Sequence, residues 1–371
     1  GSFTPGFVFV TLNGVVLSEG DYDDSSGTSI VLTEGAAADD ILGVYVFDTF
    51  SVADTVSASS GGTFSGDVTF SSNIIASSGA TFSGDVSGAL IEGFFRKSDH
   101  EVVAFTKTGN GTAETQVDIK VEVNGTLLSI ASGTSITMPG TLSAGTDYVV
   151  WANTDGTLEA STNYTTPPTA NGRKIGGFHY APGGNATAQS GGDSTAQINE
   201  YSFWDLKWRP SAPDPRGMTL VSENFWTDIY LLNTDPDANG TSAFGVTIAD
   251  GSSPPKVPAA FGGNGSTTYG SFKWYECQEV FAAYGKKAPT YAEFMALAYG
   301  VTEETDSGSD PGTTQLDAGR TSKWGVIQAT GNLWVWARDV IADGTGSGAF
   351  RDIAEGRGEI FTFNDDLRAG L

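Results

Sequence analysis

Two stretches near the C-terminal end carry the long helix-period signals of this chain, and the rest must be built around them. In residues 272–300, FKWYECQEVFAAYGKKAPTYAEFMALAYG, the residues Cys277, Val280, Phe281 and Tyr284 recur at i, i+3, i+4 and i+7. That spacing sets one apolar stripe of a helix against a core. The run Gly-Lys-Lys-Ala-Pro breaks this helix. A second one starts at Thr290, because Thr290 and Glu293 have the spacing of a capping box, and Gly300 sits where a helix should stop. In the following stretch, GVIQATGNLWVWARDV at 325–340, Trp334, Val335 and Trp336 read as a strand with alternate faces, so at least one Trp belongs to a core. Two short helices and an aromatic strand call for an α+β domain at this end.

The remainder is turn-dense β sequence. Gly accounts for 49 of the 371 residues, against 1 Cys, 3 Met and 2 His, which leaves neither disulfides nor metal clusters to hold the fold. A formal charge of −25 comes with few, unclustered Lys and Arg, which excludes a nucleic-acid binder working through phosphates. The carboxylates are scattered through loops, as on a solvated surface. No 18-residue apolar run exists, so membrane insertion is excluded. The chain opens on Gly-Ser, without an initiator Met or a signal-peptide pattern, and reads as a piece of something longer.

The chain divides into four segments. In 1–55, FVFVTLNGVVL alternates around Asn13-Gly14, a dipeptide suited to a tight hairpin, and further strands are expected at 29–32 and 41–47. In 56–95, TFSGDV occurs at 63–68 and again at 81–86, an identical repeat 18 residues apart in Gly/Ser/Ala/Thr-rich sequence. Such a segment has too few large side chains for a core of its own. A symmetric trimer resolves this, with Phe64, Val68, Phe70, Ile74, Ile75, Phe82 and Val86 of three chains on one axis. In 96–168, VVAFTKT, QVDIKVEV, TLLSI, SITM and DYVVWANT, with a turn at Asn124-Gly125, read as a β-sandwich. A boundary is expected at Tyr164-Thr-Thr-Pro-Pro168. Seven of the eight Trp lie beyond it, which points to a separate aromatic core in 169–371.

Few residues offer reactive chemistry. Cys277 lies on the apolar stripe and reads as an inert core thiol. His100 and His179 stand in unrelated contexts, packed or solvent-facing, and no Ser-His-Asp or metal-ligand spacing emerges. Asp235-Pro-Asp237-Ala-Asn239-Gly240 copies the first half of a calcium loop, but Val246 stands where the bidentate Glu is required, so the reading is an acidic turn, with a looser calcium site as the alternative. Asp214-Pro215-Arg216-Gly217 reads as a structural ion pair at a rigid turn. A glycan-cleaving carboxylate pair would suit a depolymerase, whose usual β-helical repeats are not seen here. The Gly-rich excursion at 343–358, holding Phe350, Arg351 and Asp352, is the candidate exposed contact loop.

The stretches GRKIGGFHYAPGGNATAQSGG (172–192), INEYSFWDLKWRPSAPDPRGMTLV (198–221) and FWTDIYLL (225–232) resemble the phage major tropism determinants, a branch of the C-type lectin fold shared with formylglycine-generating enzymes. VVAFTKTGN, VEVNG, SITMPGTLSAGTDYVVW and VTIADGSSPPK extend the resemblance over roughly 96–371, while residues 1–55 resemble the small β modules of phage tail fibres. The resemblance implies a mainly β protein with an N-terminal fibre β module, a trimeric β repeat, a middle β-sandwich and a C-terminal α+β C-type-lectin-like domain. It implies a virion tail-fibre receptor-binding protein that mediates host recognition and adsorption. Its partners would be two further copies in a homotrimer, a bacterial surface receptor (protein or glycan) and other tail or fibre proteins. The enzymes of this fold use a reactive Cys pair; Cys277 alone implies no enzyme, and no cofactor is implied beyond a divalent cation such as calcium. A purely structural fibre or adaptor segment is the rival reading. In the family a hypervariable C-terminal segment carries the receptor contacts, and the chain ends at Leu371 about where that segment would begin, so its final strands and most contact side chains are expected to lie beyond.

Overall fold

The computed structural model describes residues 2–47, 92–302 and 311–339, together with the backbone of four short strands between 341 and 368. The chain forms two compact units, 1–80 and 81–371.

In the first unit β1 (Val8–Leu12) turns into β2 (Val15–Val16) through Asn13 and Gly14, whose φ values of 51° and 80° are those of a two-residue hairpin turn. A separate hairpin joins β3 (Tyr22–Asp23) to β4 (Val31–Leu32), and β5 (Leu42–Val46) pairs antiparallel along the whole of β1. Among the described residues of this unit only Val10 is a buried apolar side chain, while Phe7, Phe9, Val15, Val16, Ile41, Tyr45 and Phe47 are exposed. The TFSGDV repeat and the seven residues assigned to a shared axial core lie outside the described residues.

The second unit begins as a β layer structure. β6 (Phe95–Lys97), β9 (Ile119–Val123) and β10 (Thr126–Ile130) form a three-stranded sheet in the order β10-β9-β6, and β7 (Phe105–Gly109) pairs with β8 (Thr112–Thr115). A six-stranded sheet is built from β11 (Ile136–Thr137), β12 (Thr146–Ala152), β13 (Leu158–Ser161), β14 (Arg173–Ala181), β15 (Gln197–Ile198) and β16 (Trp204–Asp205). Strand alternation does the packing: Ile119, Val121 and Val123 of β9 are fully buried, with Lys120 between them exposed. They meet Phe105, Tyr148, Val150, Leu158, Ile175 and Phe178 in one core.

That core does not end at Pro168. β14 lies entirely beyond the expected boundary, yet it pairs with β12 from Thr146↔Tyr180 to Ala152↔Arg173, and Ile175, Phe178, Ile198 and Phe203 belong to the same cluster as Phe95. The prolines only terminate a strand connection; the hydrogen-bond ladder continues past them.

Two groups distant in sequence close this body. Lys97 Nζ reaches Asp205 Oδ2 at 2.7 Å, with both side chains almost wholly buried. The same carboxylate accepts from the backbone N–H of Ala104, Lys207 and Trp208, and Lys97 also donates to the Val102 carbonyl. Further along β14, buried His179 contacts Asp147 through Nδ1 at 3.0 Å and the Tyr230 hydroxyl through Nε2 at 2.9 Å, while Gly217 N–H donates to the same Asp147 oxygen. These bonds tie the sheet to the α+β part that follows. Burial, and then the Asp147 charge, hold the Tyr230 hydroxyl well above its ordinary pKa.

The α+β part contains a hairpin, β17 (Met218–Val221) and β18 (Phe225–Asp228), and the helices α1 (Pro236–Asn239), α2 (Trp274–Ala283) and α3 (Tyr291–Leu297). Cys277 and Val280 of α2 are buried, and Phe281 and Tyr284 pack with Leu232, Ala249 and Tyr269, so the apolar stripe read from the sequence faces a core. Leu297 of α3 packs with Val221, Val301, Val326 and Ala329. Ile327 enters a third cluster with Ile229 and Tyr230.

Candidate functional site

α3 is the element that positions the end of the chain. Thr290 Oγ1 accepts from Glu293 N–H at 3.1 Å and Glu293 Oε2 accepts from Thr290 N–H at 2.7 Å, the reciprocal capping box that the spacing implied. Arg338 then pairs with Glu293, Arg338 N–H donates to the Pro289 carbonyl, and Tyr291 N–H donates to Asp339 Oδ2. Trp274 Nε1 on α2 donates to the Ala337 carbonyl. Residues 337–339 are thus pinned to the start of both helices.

Burial pushes the Glu293 carboxyl up, but the two hydrogen bonds with Thr290 and the nearby Arg338 and Lys287 charges outweigh it and hold the group below the usual glutamate value. A depressed carboxyl stabilises the fold at neutral pH, and that contribution is lost as pH falls through the folded-state value. Thr290→Ala should therefore cost about 1 kcal/mol at neutral pH. It should cost less below the glutamate range. Denaturant unfolding at both pH values measures this, and a loss that does not change with pH would show that the carboxylate is not involved.

The residues before this anchor do not form the strand expected at Trp334–Val335–Trp336. Gly325, Gln328 and Gly331 have φ of 76°, 54° and 74°, and such left-handed positions turn the backbone too often for a ladder to run. Trp334 is 87% exposed, so it contributes to no core of the single chain. Beneath Val335 lies a cavity of about 610 Å³ lined by Phe225, Leu232, Phe281, Phe294 and Leu297. Lys286 at its wall donates to Asp228 and Thr241.

Beyond the anchor, two short antiparallel pairs follow. β19 (Ile341–Ala342) pairs with β22 (Leu367–Arg368), and inside them β20 (Ala349–Asp352) pairs with β21 (Glu359–Thr362). The candidate residues Phe350, Arg351 and Asp352 thus lie on a strand and not in an open loop, in register with Phe361, Ile360 and Glu359.

The other residues singled out from the sequence have structural partners. Asp235 caps α1 through Ala238 N–H and pairs with Lys256 at 2.6 Å, and Asp237 accepts from the Tyr284 hydroxyl, so the calcium-like turn is held by protein groups. Asp214 and Arg216 form a partly exposed ion pair, with the guanidinium over the Tyr164 ring at 5.0 Å. Burial pushes the Cys277 thiol up to about 12, the condition of an unreactive thiol. His100 is exposed and His179 is consumed in its joint with Asp147 and Tyr230. No local pattern announces the Lys97–Asp205 pair or that joint, since their members lie far apart along the chain and share no motif.

A β-sandwich body bearing an α+β part, in which two short helices hold residues 337–339 ahead of the last β pairs, defines a C-type-lectin-like protein. A family model described as the Mtd second domain matches residues 103–205, a span that crosses Pro168 as the observed sheet does. The tail fiber receptor-binding protein of Bordetella phage BPP-1 is 48% identical over 284 residues, covering 73% of this chain and 74% of that protein. Among solved structures, the major tropism determinant M1 variant has a TM-score of 0.70 and 48% identity over 72% of this chain and 74% of that one. The U1 variant has a TM-score of 0.70 and 46% identity over 75% and 80%. The chain belongs to the major tropism determinant family.

Proposed function

We propose that this chain is a virion tail-fibre receptor-binding protein that mediates host recognition and adsorption, and that it acts by binding and not by catalysis. The observation that carries this reading is the 48% identity over most of both chains with a tail fiber receptor-binding protein. In this reading receptor contact is made on the C-terminal β pairs, at Phe350, Arg351 and Asp352, with exposed Trp334 a short way upstream. Aromatic and Arg side chains are the types that dominate binding hot spots. The receptor is a protein or glycan of a bacterial surface.

The working form is a homotrimer that joins other tail or fibre proteins. Its support is in the first unit, where a sheet bearing exposed Phe7, Phe9, Val16, Tyr45 and Phe47 buries only Val10 among the described apolar residues. An apolar surface of this kind needs cover from other chains. The TFSGDV repeat points the same way from the sequence.

Purified chain should sediment as a trimer; where the strand supplies the contact, and not mainly the segment that the resemblance places after it, the chain should also bind host cells, and Phe350→Ala with Arg351→Glu should weaken that binding about thirtyfold. A folded trimer that ignores host surface would favour the rival reading of an adaptor segment. A compact monomer would remove the trimer, and undiminished binding by the double variant would move the contact off this strand.

A further inference from the structure

A cleft of about 460 Å³ lies on the side of the second unit, between Lys107 of β7, Gln197 of β15, the loop at 185–193 and the residues that follow α3. Nothing in the receptor reading above uses it. Its groups are arranged as complementary donors and acceptors. Asp193 Oδ1 is held by Thr195 N–H at 2.7 Å and Gly184 N–H at 3.2 Å, which fixes the carboxylate. Lys107 Nζ donates to Gln197 Oε1 and Gln197 Nε2 donates to the Thr195 carbonyl at 3.3 Å, which fixes the amide and leaves one Nε2 hydrogen to donate elsewhere.

Gly184 shows that the two fixed groups converge. A Cβ placed there would stand 2.4 Å from Gln197 Nε2 and 2.7 Å from Asp193 Oδ2, so a carboxylate acceptor and an amide donor sit together over one glycine. Asn185 also lines the cleft, and its buried Oδ1 has no hydrogen-bond partner among the described residues. Tyr201 and Tyr299 supply aromatic rings to the same walls, Tyr299 being 53% exposed. Burial lowers the Lys107 amine, against the pull of Glu200 and Asp193.

We propose that this cleft is a saccharide-binding subsite, separate from the C-terminal β pairs. A paired acceptor and donor a few ångströms apart suits a sugar's adjacent hydroxyls, one donating to Asp193 and the next accepting from Gln197. The exposed face of Tyr299 suits the C–H side of a pyranose ring. A peptide would need an apolar pocket for a large anchor side chain, and apart from the two tyrosines the only apolar side chains on these walls are the methyl groups of Ala186 and Ala188. Phosphate backbones are disfavoured by the two carboxylates, Asp193 and Glu200.

The test is saturation-transfer NMR on the intact chain with glucose, galactose, N-acetylglucosamine and galacturonate, each at millimolar concentration, the range left by a few hydrogen bonds and one stacking face. At least one of them should receive transfer at its ring protons. Asp193→Asn keeps an acceptor for Gly184 and Thr195 and so should fold, and Tyr299→Ala removes only a half-exposed ring; each should weaken binding about tenfold. No transfer to any of the four sugars, or undiminished transfer in a folded double variant, overturns the proposal. The strand variant, Phe350→Ala with Arg351→Glu, separates the two sites: it should keep sugar transfer at full strength, and loss of transfer in that variant, folded, would overturn the placement of the sugar in this cleft.

Discussion

Asp205→Ala is expected to cost the second unit about 3–5 kcal/mol, the range for removing one partner of a buried ion pair. The variant leaves the Lys97 ammonium, at 2% exposure, with only the Val102 carbonyl, and it strips the acceptor from Ala104, Lys207 and Trp208 N–H. Lys97→Met should cost less, because the carboxylate keeps its three backbone donors. The double change Lys97→Met with Asp205→Asn should recover part of the loss, since an amide serves the turn without a charge to desolvate. Denaturant midpoints of the three variants measure the order. Equal losses in all three would mean that the pair acts by shape alone, and the electrostatic account would fail.

Gly177→Ala is the second large effect. An added Cβ would meet the Tyr148 carbonyl oxygen at 2.5 Å and Trp204 Nε1 at 2.7 Å, and at neighbouring Gly176 it would meet the Trp204 carbonyl at 2.3 Å. Neither glycine has a left-handed φ, so what it supplies is room where β14 runs between β12 and β16. Overpacking against two rigid backbones should cost about 3 kcal/mol. For a unit of this size that lowers the melting temperature by roughly 6–12 °C. Gly140→Ala is the control, with an ordinary φ and no atom within 4 Å of its Cβ, and it should be neutral or gain about 0.5 kcal/mol. If Gly177→Ala melts with the control, the close approach of these strands is relaxed in solution.

Much of the second unit was legible locally. The capping box at Thr290 and Glu293, the apolar stripe of α2 and the Asn-Gly turns at 13–14 and 124–125 are rules about residues within a turn or two of each other, and each recurs in the structure. The expectations that failed depended on what a segment meets in space. Trp334-Val335-Trp336 has the composition of a strand, but among the described residues it pairs with no strand, and the left-handed positions before it leave Trp334 outside. Pro167-Pro168 has the composition of a domain boundary, but β14 finds β12 across it. The residues Phe350, Arg351 and Asp352 were chosen for a Gly-rich loop, and pairing with β21 made a strand of them.

By itself the sequence determined the apolar stripe of α2, the capped start of α3, where the tight turns fall and which fibre-tip family the chain resembles. These follow from periodicity, left-handed turn residues and long runs of shared motif, all written along one dimension. Only the tertiary structure decided that Lys97 meets Asp205, that His179 joins Asp147 to Tyr230, and that Asp193 and Gln197 converge over Gly184. Those contacts join residues up to 108 positions apart. Their energies come from burial and mutual geometry, and neither quantity exists until the sheets have packed.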